Sequence, residues 1–155
     1  MSESEFRGLR RAADYQFGRG AGAALLPASD DVDITRTSSG RPRQVHVADG
    51  RVATYATDGR FVLGLAGGRQ LQAAFEAPHH RVVVGDESEP FVREGRNAFA
   101  KFVQHADPEL RPGDETLVVH ENGDLLAGGR AELPGSGMAD FETGMAVKVR
   151  QGADS

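Results

Sequence analysis

The chain has 155 residues, 39% of them hydrophobic and spread along its length, with neither cysteine nor tryptophan. That is enough for one ordinary domain or two small ones, and it excludes disulfides and thiolate metal sites. Formal net charge is −5, and of 18 basic residues only Lys101 and Lys148 are lysine, so a blanket electrostatic grip on a polyanion is not expected.

Charge is divided unevenly. Residues 1–77 carry ten arginines against nine acids, whereas residues 78–152 carry eight basic against thirteen acidic residues. Any nucleic-acid site in the second half must therefore be a local cationic patch on an acidic surface. The profile, rich in Arg, Ala and Gly and poor in Lys, fits a GC-rich genome and a salt-adapted host. No apolar run approaches a membrane span and the amino terminus has no signal-peptide core, so a soluble, cytoplasmic protein is expected.

In chain order, Phe6, Leu9, Ala13 and Phe17 fall at helical spacing and predict a helix over Ser4–Tyr15, with Glu3 and Glu5 at its dipole-favoured start. Gly18, Gly20 and Gly22 end it. From Val32 to Leu65 the period changes to two. Val32–Arg36, Arg43–Val47, Arg51–Ala56 and Arg60–Leu63 read as four strands of a meander, separated by turns at Thr37–Gly40, Asp49-Gly50 and Asp58-Gly59. A second helix is expected over Arg69–Glu76, stopping before Pro78.

Pro78-His79-His80 marks the expected domain boundary. Beyond it, Arg81–Val84 reads as a strand and Phe91-Val92 as a short one. Asn97 is expected to cap a short helix whose buried stripe is Phe99, Phe102 and Val103. Thr116–His120 and Leu125–Leu133 form a hairpin across a type I′ turn at Asn122-Gly123, and Met138–Phe141 a single helical turn. Met145–Arg150 alternates, with Lys148 and Arg150 on one face. Gln151–Ser155 reads as a frayed tail.

Four blocks carry a resemblance: Phe91 through Val103, Asp107 through Glu115, Leu125 through Ala131 and Gly144 through Gly152. In that order and spacing they closely resemble the PUA domain, an RNA-binding module of pseudouridine synthases and archaeosine transglycosylases. The resemblance implies a small, partly closed barrel of about six strands with one or two short helices. It also implies that the glycine-bearing loop, the first helix and the last strand face RNA. Mapped onto this sequence, those positions are Arg93, Gly95, Arg96, Asn97 and Lys101, together with Lys148 and Arg150. Ala13–Gly20 and Ser39–Val45 further resemble the segment preceding the PUA domain in archaeal archaeosine tRNA-guanine transglycosylases. The two halves together look like the carboxy-terminal part of such an enzyme. Its catalytic carboxylates reside in a barrel this chain has no residues for, so none is carried over.

Other motifs carry less. Gly18-Arg19-Gly20-Ala21-Gly22 follows a helix, not a strand, so the dinucleotide fingerprint fails on context. His46, His79, His80, His105 and His120 lack ligand spacing, and Asp30-Asp31 with Asp33 reads as acidic decoration. Ser38, Ser39 and Ser136 lie in turns without a nucleophile elbow. Arg36, Arg41, Arg43, Arg51 and Arg60 cluster on the meander, where a solvated face explains most of them and a phosphate-facing sheet surface is the alternative.

The sequence thus predicts an α+β protein: a helix-plus-antiparallel-meander domain over 1–77, a PUA-type β-barrel over 78–152 and a tail over 153–155. The expected function is non-catalytic binding of structured RNA such as tRNA in support of RNA modification, with no cofactor and no metal. Alternatives are an accessory subunit of an archaeosine tRNA-guanine transglycosylase or related enzyme, and a protein-interaction adaptor in ribosome biogenesis or translation.

Overall fold

The structure, a computed structural model, describes residues 1–154. It divides into one unit over Met1–Phe75 and a second from Glu76 onward. Each has its own core.

In the first unit, helix α1 (Glu3–Phe17) buries Phe6, Leu9, Ala13 and Phe17. Ser2 caps it, accepting from the Glu5 amide at 3.1 Å. A short helix α2 (Ala21–Leu25) follows where only a glycine turn was expected. Strands β1 (Asp33–Arg36), β2 (Pro42–Val47), β3 (Gly50–Tyr55) and β4 (Phe61–Leu63) form the predicted antiparallel meander in sequence order. Val45, Val52, Phe61 and Leu63 turn inward from it.

Helix α3 (Leu65–Ala74) begins four residues before the predicted start. Gly67 and Gly68, which precede the predicted start, both lie inside it. At Gly67 a side chain would collide with the Val52 carbonyl, so the glycine is where α3 presses against β3 rather than where it starts.

The second unit is a six-stranded, nearly closed barrel: β5 (Arg81–Val84), β6 (Ala98–Phe99), β7 (Val103–Ala106), β8 (Glu115–His120), β9 (Leu125–Ala131) and β10 (Met145–Gly152). Strand order is β6-β10-β9-β8-β5-β7. Only β5 and β8 pair in parallel; the other neighbours are antiparallel. Its interior is filled by Val82, Val84, Val92, Val118, Leu126, Met138 and Val147, among others. Among the described residues no helix is long and apolar enough to cross a membrane.

Four local expectations are corrected here. Phe91-Val92 is not a strand but lies in helix α4 (Glu89–Arg93), opened by Pro90 in its first turn with only Val92 buried. Residues 97–103 are not a helix. Ala98-Phe99 pairs with β10, Ala100–Phe102 makes one 3₁₀ turn, and Val103 starts β7 beside β5. Pairing with two distant strands wins over a local helical spacing too short to nucleate. The β8–β9 turn is not type I′, which needs positive φ at both central residues. Only Gly123 has one, and its amide donates to the His120 carbonyl at 2.8 Å. Finally, Gln151 and Gly152 complete β10, while the Ala153 and Asp154 amides donate to Leu126 and Arg93 at 2.8 Å each, so this stretch is held rather than frayed. Of the expected tail, Ser155 lies outside the described residues.

Candidate nucleic-acid interface

The loop after α4 is shaped by its backbone. The Gly95 amide donates to the Val92 carbonyl at 2.9 Å and the Arg96 amide to the Phe91 carbonyl at 3.0 Å. Those two bonds are the Schellman end of a helix, with Gly95 at the left-handed position, φ +102°. The glycine therefore has a structural duty whatever approaches it.

Asn97 caps no helix. Its Oδ1 accepts from the Val149 amide at 2.9 Å, which ties the loop to β10 between Lys148 and Arg150. Gly152 of the same strand packs so closely on the Val92 and Arg93 carbonyls and the Gly95 amide that no side chain fits there. The loop and the end of β10 are thus one packed unit.

The cations of this region are not equivalent. Arg93 is only partly exposed and reaches Glu89 at 3.2 Å, Asp124 at 3.6 Å and Asp154 at 4.0 Å. Arg150 donates both terminal nitrogens to the buried Glu115 carboxylate, at 2.8 and 2.7 Å. Lys148 is exposed and lies opposite Arg130 of β9, whose own cross-strand partner on β8 is Glu115. Arg96 and Lys101 are exposed and lie over aromatic rings, Arg96 at 5.9 Å from the centre of Phe91 and Lys101 at 5.0 Å from that of Phe102. Of the five cations anticipated from sequence, Arg93 and Arg150 are thus neutralised by carboxylates.

Beside the loop is a cleft of about 210 Å³ lined by Ser88, Phe91, Arg96, Asn97, Phe99 and Phe102. Phe91 is 52% exposed and Phe99 47%. The sequence reading placed Phe99 and Phe102 in a buried stripe; a clue to the contrary was the interleaving of three phenylalanines with Arg93, Arg96 and Lys101.

On another edge, Asp86, His120 and Glu121 bring three ligand-type atoms within 4.8 Å of one another. The Asn122 amide donates to His120 Nδ1 at 3.0 Å, so in the neutral ring Nε2 carries the proton toward Asp86 Oδ1, 2.7 Å away. A metal would need that Nε2 lone pair, whereas metal-bound imidazole ordinarily donates from its other nitrogen. Glu121 already accepts from Gln104 at 2.7 Å. The group is a hydrogen-bonded brace. Asp86 raises the His120 pKa above its ordinary value, against the desolvation of the ring.

The nearly closed six-stranded barrel, with helix α4 between its first two strands, defines the class: the chain is a PUA-domain protein, as its family matches show. Residues 80–153 match the PUA domain family, and residues 7–78 match the patch-forming domain C2 of tRNA-guanine transglycosylase. More particularly, it matches the carboxy-terminal region of archaeal tRNA-guanine(15) transglycosylases. It is 49% identical to that of Pyrococcus furiosus over 143 residues, covering 92% of this chain and 24% of the relative. With the Methanothermobacter thermautotrophicus protein the identity is 43%, over 93% of this chain and 22% of the relative. The chain thus spans about a quarter of the length of these relatives. Two solved structures share the fold. A hypothetical protein from Pyrococcus horikoshii superposes with TM-score 0.72 at 22% identity, covering 100% of this chain and 93% of that one. A PUA domain from Aeropyrum pernix gives 0.71 at 20% identity, covering 100% and 85%.

Proposed function

We propose that this protein binds structured RNA, most specifically tRNA, without catalysing a reaction on it, and that it serves RNA modification in the cytoplasm. The observation that carries this reading is the tether from Asn97 to Val149. It fixes the glycine loop against the strand bearing Lys148, so that a rigid backbone edge and a few cations can meet a folded RNA together. Arg93, Gly95, Arg96, Asn97, Lys101, Lys148 and Arg150 form the contact surface. Arg96, Lys101 and Lys148 supply charge to phosphate, and Gly95 lets the backbone come close. Arg93 and Arg150, already paired with carboxylates, position the loop and strand. With net charge −5, recognition leans on shape, 2′-hydroxyls and backbone amides rather than bulk attraction.

Filter binding with tRNA tests this. Arg96→Ala with Lys101→Ala weakens binding, and unchanged affinity removes this surface from consideration. Because few phosphates are neutralised, the log–log dependence of affinity on salt is shallow, with a slope no steeper than about −3 for three contacts.

The match to the carboxy-terminal region of tRNA-guanine(15) transglycosylases favours a second, narrower reading. The protein acts as an accessory partner of a catalytic chain of the transglycosylase type, delivering or orienting tRNA. Co-purification from the host recovers that chain; its repeated absence overturns the narrower reading and leaves the RNA-binding one standing.

A further inference from the structure

We propose that His120 is a pH-sensitive switch on the RNA-contacting edge: its charged ring draws off Glu89 and Asp124, two carboxylates that neutralise Arg93, and so frees Arg93 for an RNA phosphate. This rests on the RNA-binding reading above and adds a regulation to it.

Arg93 is answered by three acids, Glu89 at 3.2 Å, Asp124 at 3.6 Å and Asp154 at 4.0 Å. Two of the three also lead to His120. Glu89 stands one turn before Arg93 on α4, and its charge favours the protonated ring. One carboxylate thus faces two cations, so its attraction to the ring weakens its hold on Arg93. Asp124 lies in the β8–β9 turn and is joined to the ring through Asn122.

That turn fits one state of the imidazole. The Asn122 amide donates to Nδ1 at 3.0 Å, which only an unprotonated Nδ1 can accept. Asn122 Oδ1 meanwhile accepts from the Asp124 amide at 2.9 Å. When the ring charges, Nδ1 becomes a donor. It then meets the Asn122 amide donor to donor, and it competes with the Asp124 amide for Asn122 Oδ1. Hydrogen bonding to the Asn122 side chain favours the charged ring, so the turn re-forms and Asp124 moves with it. The 2.7 Å bond from Nε2 to Asp86 persists throughout, because Nε2 donates in both states. The ring stays in place while Nδ1 changes role.

The buried ring is faced by acids from three sides: Asp86 of the loop after β5, Glu89 of α4 and Glu121 of the turn, the last accepting from Gln104 of β7 at 2.7 Å. Asp86 raises its pKa most, desolvation opposes, and Asn122 and Glu89 add to the rise. Arg93 is therefore released below the ordinary histidine value of about 6.5 and neutralised again as pH climbs through the raised one. Coupling is reciprocal, so RNA that takes Arg93 favours the protonated ring.

The test is tRNA binding by the full chain at constant ionic strength, from about pH 6 to about pH 8. Wild type should bind about threefold more tightly at the acidic end, the scale of one partly exposed charge pair. Its log–log salt slope there should be steeper by about 1, for one further phosphate. His120→Gln, which cannot charge, and Arg93→Gln, which cannot pair, should each flatten the pH dependence. Asp124→Asn should raise affinity at the alkaline end toward the acidic wild-type value. In NMR titrations tRNA should raise the His120 midpoint in wild type and not in Arg93→Gln, a comparison that decides the matter even where His120→Gln unfolds. Wild-type binding that ignores pH overturns the switch and leaves the RNA-binding reading standing. So does a pH dependence that persists in Arg93→Gln, which simple attraction to the ring charge would produce. Absence of binding at every pH overturns both.

Discussion

Arg150 holds Glu115 by two parallel hydrogen bonds, at 2.8 and 2.7 Å, from the last strand of the barrel to the buried start of β8. A buried carboxylate is tolerable only while its partner stays in place. Arg150→Ala should therefore lower unfolding free energy by about 2 kcal/mol, a discounted share of the penalty for breaking a buried pair because the arginine is partly exposed. Glu115→Gln with Arg150→Met recovers most of the loss. Urea denaturation reads both. Lys148→Ala, two residues away and without an ion pair among the described residues, should leave stability within about 0.5 kcal/mol and lower RNA affinity more than Arg150→Ala does. The reverse ranking would mean that Arg150 leaves Glu115 to contact RNA.

The bond from the Val149 amide to Asn97 Oδ1, at 2.9 Å, carries a second prediction. Asn97→Ala strands a partly buried amide and releases the loop, at a cost of about 1 kcal/mol. Asn97→Asp keeps the acceptor and should cost less. Amide hydrogen exchange at Val149 separates the two, with fast exchange in the alanine variant and protection close to wild type in the aspartate variant.

These bonds show where sequence reasoning reached and where it stopped. The face of α1 was legible because Phe6, Leu9, Ala13 and Phe17 repeat over about three turns, and β10 because Met145–Arg150 alternates. Helix α4 was missed because five residues hold no period. Its punctuation was readable all the same, with Pro90 in the first turn and Gly95 just past the end. The misread helix at 97–103 had helical spacing at Phe99, Phe102 and Val103, but its conformation is decided by β10 and β5, which lie far away in sequence. The site shows the same limit. Resemblance named the charged residues, while the carboxylates that answer two of them, on Asp124, Asp154 and Glu115, come from elsewhere in the chain.

His120 gives a pH-dependent prediction. Asp86, 2.7 Å from Nε2, is the main cause of its raised pKa, with Glu89 adding to it and desolvation opposing. A raised folded-state value means that the charged ring stabilises the fold. That contribution is complete below the ordinary histidine value of about 6.5 and disappears as pH rises through the raised one. Thermal unfolding of wild type against Asp86→Asn should show an advantage for wild type that shrinks from about pH 6 to pH 8. Histidine ring titration by NMR should give a lower pKa in the variant. Charging the ring also turns Nδ1 from acceptor to donor, so the Asn122 amide, which donates to it at 3.0 Å, should shift with the same midpoint.

Gly95 separates scaffold from contact. It occupies the left-handed position of the Schellman end at φ +102°, where a β-carbon costs about 1–2 kcal/mol. Gly95→Ala should destabilise by that amount in urea, and Gly95→Asn by less, because asparagine tolerates the conformation better. If the glycine serves only the helix end, tRNA affinity measured well below the unfolding midpoint stays at the wild-type value in both variants. If RNA also packs against the bare backbone, the two variants weaken binding to a similar extent despite their different stabilities. That second pattern is the one expected here, because the Asn97 tether holds this stretch of main chain beside Lys148.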